Sequence, residues 1–424
     1  MNTDIDPQTK QPDSSQFSVA IDLIEESVIL DNKDVLQCYF IEDIFSYCIV
    51  GKLVFADPYG FLEIGPFTGN ETITIIYGNE EVITKTFDIF RVSKISGTAD
   101  VEPTSRASVE VYFVDRTFKK LNKYRYSLSW GGDVLISNII NHIAVNMLDV
   151  PNFKQFEASR ETINNFYMPY WTPRETIGWL IRRATGSYTQ KPGYLYYNNS
   201  NGVNFVTLEK LLQQEQPLTI GEKDDGHYVF DDSGLYYQNK ILSWEISGID
   251  NQSLNRLEGG HKLGYDFQTK TLLDRNFQYS TSVSKFTMLG RKTLFEDISN
   301  THGEYTLEGD SESNTLDTIY YSDFIKRYCM QQCLTINLRG SERRYAGAMI
   351  EIDWPSSVRE NIYNKNMEGR YLIKSVINSF MPDKQPGYLQ KMILIKNAYS
   401  DSENINLVNS TLKNVLVRGH IGTG

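Results

Sequence analysis

Cysteine is scarce: the 424-residue chain carries only Cys38, Cys48, Cys329 and Cys333, too few and too scattered to build a disulfide scaffold. Cys329 and Cys333 are four apart and would share a helix face, but no second pair follows at zinc-ligand spacing, so buried free thiols are expected. Long basic runs are missing too. The net charge is −11, and paired arginines occur only at Arg182-Arg183 and Arg343-Arg344, each of which reads as a solvated face. Neutralising phosphates takes clustered Lys and Arg, which argues against a protein that wraps nucleic acid or reads its sequence. No apolar run approaches the 18 residues of a helical membrane span. The patterns GxSxG, HExxH, GxxxxGK[ST], GxGxxG after a strand and paired CxxC are absent, so no catalytic, cofactor-binding or metal-ligating residue is nominated.

Apolar residues are plentiful, at 40%, enough for two to four folded cores in a chain of this length. Residues 1–16 are polar, contain two prolines and lack the basic-then-apolar order of a secretory leader; they read as a disordered tail. From 17 to 118, segments such as FSVAIDLI, YCIVGKLVFAD, ETITIIYG and ASVEVYFVD are rich in β-branched and aromatic residues and separated by turn-formers. This spacing predicts a first β-barrel domain.

Residues 119–228 differ. In GGDVLISNIINHIAVNML, Asp133 is placed to cap a helix whose stripe is Ile136, Ile139, Ile140, Ile143 and Met147. His142 flanks the stripe and is expected to pack at its edge. YLYYNNSNGVNFVTL reads as a hairpin and LEKLLQQ as a short helix, which together make an α+β domain. Residues 229–265 and 318–400 return to strand chemistry as a second, split β-barrel domain. The span 266–317 reads as an inserted extended or loop segment, and 401–424 as a polar C-terminal tail. The predicted class is α+β, mainly β, with two similar antiparallel β-barrel domains and inserted α+β domains.

FYMPYWTPRETIGWLIRRATG, residues 166–186, is the most chemically suggestive stretch. Thr172 at the N-cap, Pro173 at the first helical position and Glu175 three residues after the cap form a capping box. Ile177, Leu180, Ile181 and Ala184 follow as a buried stripe, with Arg182 and Arg183 near the end where the helix dipole favours cations. Phe166, Tyr167, Tyr170 and Trp171 suit either a stacking platform for a sugar or base or packing across the helix entry, and the proline after Met168 favours extended backbone there. Elsewhere, Glu351 and Asp353 alternate along MIEIDW and would serve glycoside hydrolysis only if they flanked a sugar cleft. Gly309-Asp310-Ser311 superficially matches a lipase nucleophile but sits in an acidic stretch with no base nearby.

The pattern Y-x-P-x-W-T-x-x-E-T-I-x-x-L at Tyr167 to Leu180, the segment Gly347 to Trp354, the segment Gly369 to Phe380, and Asp57 to Gly78 together resemble the central baseplate hub of contractile phage tails. That superfamily includes the late-control-protein-D hubs and the base of type VI secretion spikes. The resemblance spans roughly residues 17 to 400 in the order of elements and rests on structural motifs, among them Trp171, Thr172, Pro173, Glu175 and Trp354. It implies a homotrimer that adapts a sixfold tail tube to a threefold central spike and forms part of the central channel. Implied partners are the tail tube or its initiator protein, the spike or tail lysozyme, and the surrounding wedge proteins. The implied location is the virion tail baseplate, assembled in the host cytoplasm, and no enzymatic activity or cofactor is implied. A tail-associated glycan hydrolase and a passive receptor- or carbohydrate-binding tail protein are the alternatives.

Overall fold

The chain is seen in a computed structural model that describes residues 16–23, 27–57, 68–79, 81–95, 107–219, 227–229, 239–247, 260–266, 269–290, 305–308, 313–330, 332–355, 367–384 and 386–398. The two expected tails and Gly309-Asp310-Ser311 lie outside the described residues, apart from Gln16, and so does most of the acidic stretch 302–315.

The first strand group is β1 (Gln16–Asp22), β2 (Ser27–Leu30), β3 (Val35–Asp43), β4 (Val50–Asp57), β5 (Thr72–Gly78), β6 (Ile83–Ile95) and β7 (Ala107–Asp115). Strict alternation drives it. Phe17, Val19 and Ile21 of β1, Leu53 and Phe55 of β4, and Ile73, Ile75 and Tyr77 of β5 all point inward and are buried.

The middle of the chain supplies α1 (Thr117–Lys123), β8 (Tyr126–Leu135), α2 (Ile136–Met147), β9 (Gln155–Phe156), β10 (Thr162–Trp171), α3 (Pro173–Ile181), β11 (Tyr194–Asn199), β12 (Gly202–Thr207) and α4 (Leu208–Leu212). The rest comprises β13 (His227–Tyr228), β14 (Ser243–Ser247), β15 (Gly260–Asp266), β16 (Thr271–Phe277), α5 (Tyr279–Val283), β17 (Tyr305–Glu308), α6 (Ser313–Tyr328), β18 (Gln332–Arg339), β19 (Met349–Ile352), β20 (Gly369–Phe380) and β21 (Tyr388–Lys396).

The architecture is mainly β, with antiparallel pairing predominating. Both strand groups run into one 13-stranded sheet in the order β14-β18-β21-β20-β3-β4-β7-β6-β5-β1-β2, with β19 and β13 branching from β20. The link is β20 against β3, with Ser375 opposite Asp43 and Phe380 opposite Cys38. Two barrels were the sequence expectation; among the described residues no strand pairing closes either group on itself. The groups also share a core. Phe380 of β20 stacks on Phe17 at 4.8 Å and on Tyr388 at 4.5 Å, inside the cluster that holds Phe40, Tyr77 and Phe87.

Helix α2 starts later than its sequence signal. Asp133 is not its cap: that residue lies in β8 opposite Asn164 of β10, and the N-cap is Leu135 with no side-chain cap. Strand pairing has taken the candidate cap, and the orphan amides find tertiary partners, Ile136 N–H donating to the Glu161 carbonyl and Ser137 N–H to Ser159 Oγ. The stripe Ile136, Ile139, Ile140, Ile143 and Met147 is buried. His142 is exposed and meets the Trp130 ring edge-on at 5.5 Å. The segment from Gly260, which has no clean period, forms β15 and β16, joined by β17 in a separate small sheet.

Candidate functional site

The ribbon β8/β10 leads directly into α3. At the junction, Thr172 Oγ1 accepts from Glu175 N–H at 3.2 Å, and Glu175 Oε2 accepts from Thr172 N–H at 2.8 Å. This reciprocal box satisfies two orphan amide donors, and Pro173 at the first helical position has none to leave unpaired. The backbone bond from Thr172 is the main reason that the Glu175 carboxyl lies below its ordinary range. Arg125 ties the box to the ribbon, donating to both Glu175 oxygens and to the Tyr170 carbonyl at 3.2 Å. Tyr170 itself sits at φ 55°, a left-handed conformation that costs a bulky residue free energy and persists only where its surroundings impose it.

The four aromatics of the entry divide. Phe166 is buried and stacks on Trp179 at 5.5 Å, and Trp171 lies 6.2 Å from the same indole. Tyr167 and Tyr170 point to solvent at 69% and 65% exposure. Neither arginine after the helix is simply solvated: Arg182 pairs with Asp323 of α6 at 2.8 Å, and Arg183 lies 3.9 Å from the Trp179 ring centre and donates to its carbonyl. These contacts clamp α3 to the ribbon on one side and to α6 on the other.

A second cluster joins the strand groups to the α+β unit. Arg344, read from sequence as half of a solvated pair, is fully buried. Its guanidinium donates to the Arg339 carbonyl at 2.6 Å, Gln390 Oε1 at 3.1 Å, Asn239 Oδ1 at 3.2 Å and the Tyr228 hydroxyl at 3.2 Å. Burying that charge is tolerable because these acceptors surround it. Its neighbour Arg343 reaches Glu81 of the first strand group at 3.1 Å. From the same loop, Glu342 accepts from the Asn79 and Glu81 amides at 3.0 and 3.1 Å.

Glu42 of β3 is fully buried where these parts meet. Its carboxylate accepts from the Ser200 hydroxyl at the hairpin turn and, at 3.4 Å, from Ala346 N–H. Burial pushes its pKa up against those bonds and against the charge of Lys85. Asn199 donates to the Ala346 carbonyl at 2.8 Å, and the Tyr197 hydroxyl fills the space that a side chain at Gly347 would need, where φ is +94°. Sequence reasoning missed Arg344 and Glu42 because both partners of the Glu42 carboxylate and two of the four Arg344 acceptors, Tyr228 and Asn239, lie more than 100 residues away. A faint signal was present: the small residues Ala346, Gly347 and Ala348 beside Arg344 mark a place where backbones approach closely.

The sheet ends differ from its middle. β14 pairs only with β18 and β2 only with β1 among the described residues, so each leaves one edge unpaired. On and beside β14, Leu242, Trp244 and Ile246 are exposed, and Trp244 meets the buried Trp354 edge-on at 4.8 Å. Ile29 of β2 is 73% exposed. Exposed apolar edge strands are liabilities in a monomer and pairing sites in an assembly.

Glu351 and Asp353 belong to the β19 branch of the large sheet, where Asp353 faces His227 Nδ1 at 3.1 Å, whereas the exposed tyrosines sit on the separate β8/β10 ribbon. No group of three or more His, Cys, Asp or Glu able to hold a metal occurs among the described residues, and no helix there is long and apolar enough to cross a membrane. The four cysteines are free thiols.

No protein-family model matches the sequence, and no curated protein matches it. Solved structures do. A tail protein from Neisseria meningitidis MC58 is similar over 90% of this chain and 99% of its own, with a TM-score of 0.58 at 9% identity. The 43 kDa tail protein of prophage MuSo2 from Shewanella oneidensis is similar over 90% and 98%, with a TM-score of 0.53 at 8% identity. At such identities the likeness is one of fold, and this chain shares the mainly β fold of these two tail proteins.

Proposed function

We propose that the chain is the structural hub of a contractile injection machine: a homotrimer in the tail baseplate that adapts a sixfold tube to a threefold spike and contributes to the central channel. The carrying observation is the single sheet that holds two strand groups and, among the described residues, leaves an unpaired edge at each end. A heterologous contact between unlike edges generates a closed ring when the rotation fits, and three copies with two strand groups each would present six. Its partners in this reading are the tail tube or tube initiator, the spike or tail lysozyme, and the wedge proteins, in a virion assembled in the host cytoplasm. Its role is non-enzymatic. Trp171, Thr172, Pro173, Glu175 and Trp354 serve as structural residues that set α3 and the β14 edge.

The test is the mass of the purified protein at low salt, alone and with its spike. A trimer is expected, and Ile29→Lys combined with Ile246→Lys should give monomers with unchanged circular dichroism, since charges on edge strands block pairing. A wild-type monomer at all concentrations, with or without spike, would overturn the proposal.

A further inference from the structure

The chain is acidic overall, yet residues 116–125 carry Arg116, Lys119, Lys120, Lys123 and Arg125 and no carboxylate. α1 holds most of this charge beside a half-open cavity of about 440 Å³. Arg116, Lys119 and Lys120 line one side, Asp88 and Asp149 contribute carboxylates, and Tyr124 with Leu148 forms an apolar wall. Several of the cations are already engaged. Lys120 pairs with Asp149, Lys123 lies over the Tyr124 ring, and Arg125 is committed to Glu175. Arg116 holds Asp88 only loosely, at 3.7 Å. Lys119 is exposed and forms no ion pair within 4 Å among the described residues, acting on Asp88 only through its charge. The cavity thus offers two cations, Lys119 and Arg116, that act on Asp88 without a close ion pair, both beside an apolar wall.

We infer that this cavity docks an acidic peptide segment of a partner protein, with a carboxylate set between Lys119 and Arg116 and the peptide's apolar atoms against Tyr124 and Leu148. Two features favour a peptide over a nucleic acid. Asp88 and Asp149 interrupt the cationic surface and would repel a continuous phosphate backbone, while they can accept peptide N–H donors. The volume also lies in the range of sites that enclose ligands far larger than a single phosphate. Asp88 is half-buried, and burial holds its carboxyl above the ordinary range despite Arg116 and Lys119, which lessens its repulsion of an incoming carboxylate without removing it. The inference does not depend on the oligomeric state of the chain.

Fluorescein-labelled hexaglutamate, titrated against the full chain at low salt and followed by anisotropy, tests it. Saturable binding is expected, weakened about tenfold or more by Lys119→Glu and strengthened by Asp88→Asn. Lys391→Glu, which alters the same net charge on the exposed face of β21, should leave binding unchanged. Absence of binding, an equal loss with Lys391→Glu, or displacement by inorganic phosphate or a DNA duplex at concentrations where unlabelled peptide has no effect would each overturn the assignment.

Discussion

Glu157 and Glu42 are both carboxylates withdrawn from water, and they are held in opposite ways. Glu157 stays inside the α+β unit, accepting from the backbone and hydroxyl of Thr189 at 3.2 and 2.8 Å and from those of Thr207 at 3.1 and 2.7 Å. Four local donors replace its water. Glu42 instead draws on Ser200 and Ala346, 158 and 304 residues away, and its raised pKa records incomplete compensation for burial. The contrast is one of span: Glu157 is closed by residues of the α+β unit, whereas the seam around Arg344 and Glu42 depends on three distant parts of the chain arriving together. A seam built that way stabilises the native arrangement only when all of its parts are docked.

The comparison breaks most readily at Arg344. Arg344→Ala strands acceptors from Tyr228, Asn239, Gln390 and Arg339, and should cost about 3–5 kcal/mol, read as a lowered unfolding midpoint in denaturant. A loss under about 1 kcal/mol would show that the seam is not a keystone. Thr172→Ala, within the locally satisfied unit, should cost about 1 kcal/mol through the lost cap and should reduce assembly yield in proportion. Equal stability would contradict the cap's role in setting the start of α3.

The smallest effect is one of pH. A carboxyl whose folded pKa lies above its ordinary 4.5 keeps a proton that the unfolded chain has released, so Glu42 lowers stability as pH climbs from that value to the raised one. Above the raised value the penalty is constant. Glu42→Gln should therefore match the wild type in acid, lack that decline, and be at least as stable at pH 7. A variant less stable than the wild type at pH 7 would mean that the ionised carboxylate is a net stabiliser of the seam.

Legibility followed the same division. The signature Thr172-Pro173-Arg174-Glu175 and the stripe through Ile177 and Leu180 lie within one helix, where capping and periodicity act over a few residues, and α3 has both features. The hairpin β11/β12 was visible because its turn residues, Ser200 and Asn201, separate two apolar runs. The start of α2 was misplaced because Asp133 suits a cap and a strand end alike, and the choice fell to its pairing with β10. The Arg182-Arg183 and Arg343-Arg344 pairs were misread for the same reason: a charged residue looks solvated until its partner's position is known.

By itself the sequence determined the periods, the faces and the local stops: which residues point inward on each strand and where α3 begins. Only the tertiary structure decided that β3 pairs with β20, that both strand groups share one sheet, and that Arg344 is interior. The physical reason is that side-chain pattern specifies the face a strand buries, while backbone N–H and C=O groups are the same in every strand. Which edge meets which is settled by packing across the whole chain, as when Phe380 of β20 enters the core of the first group.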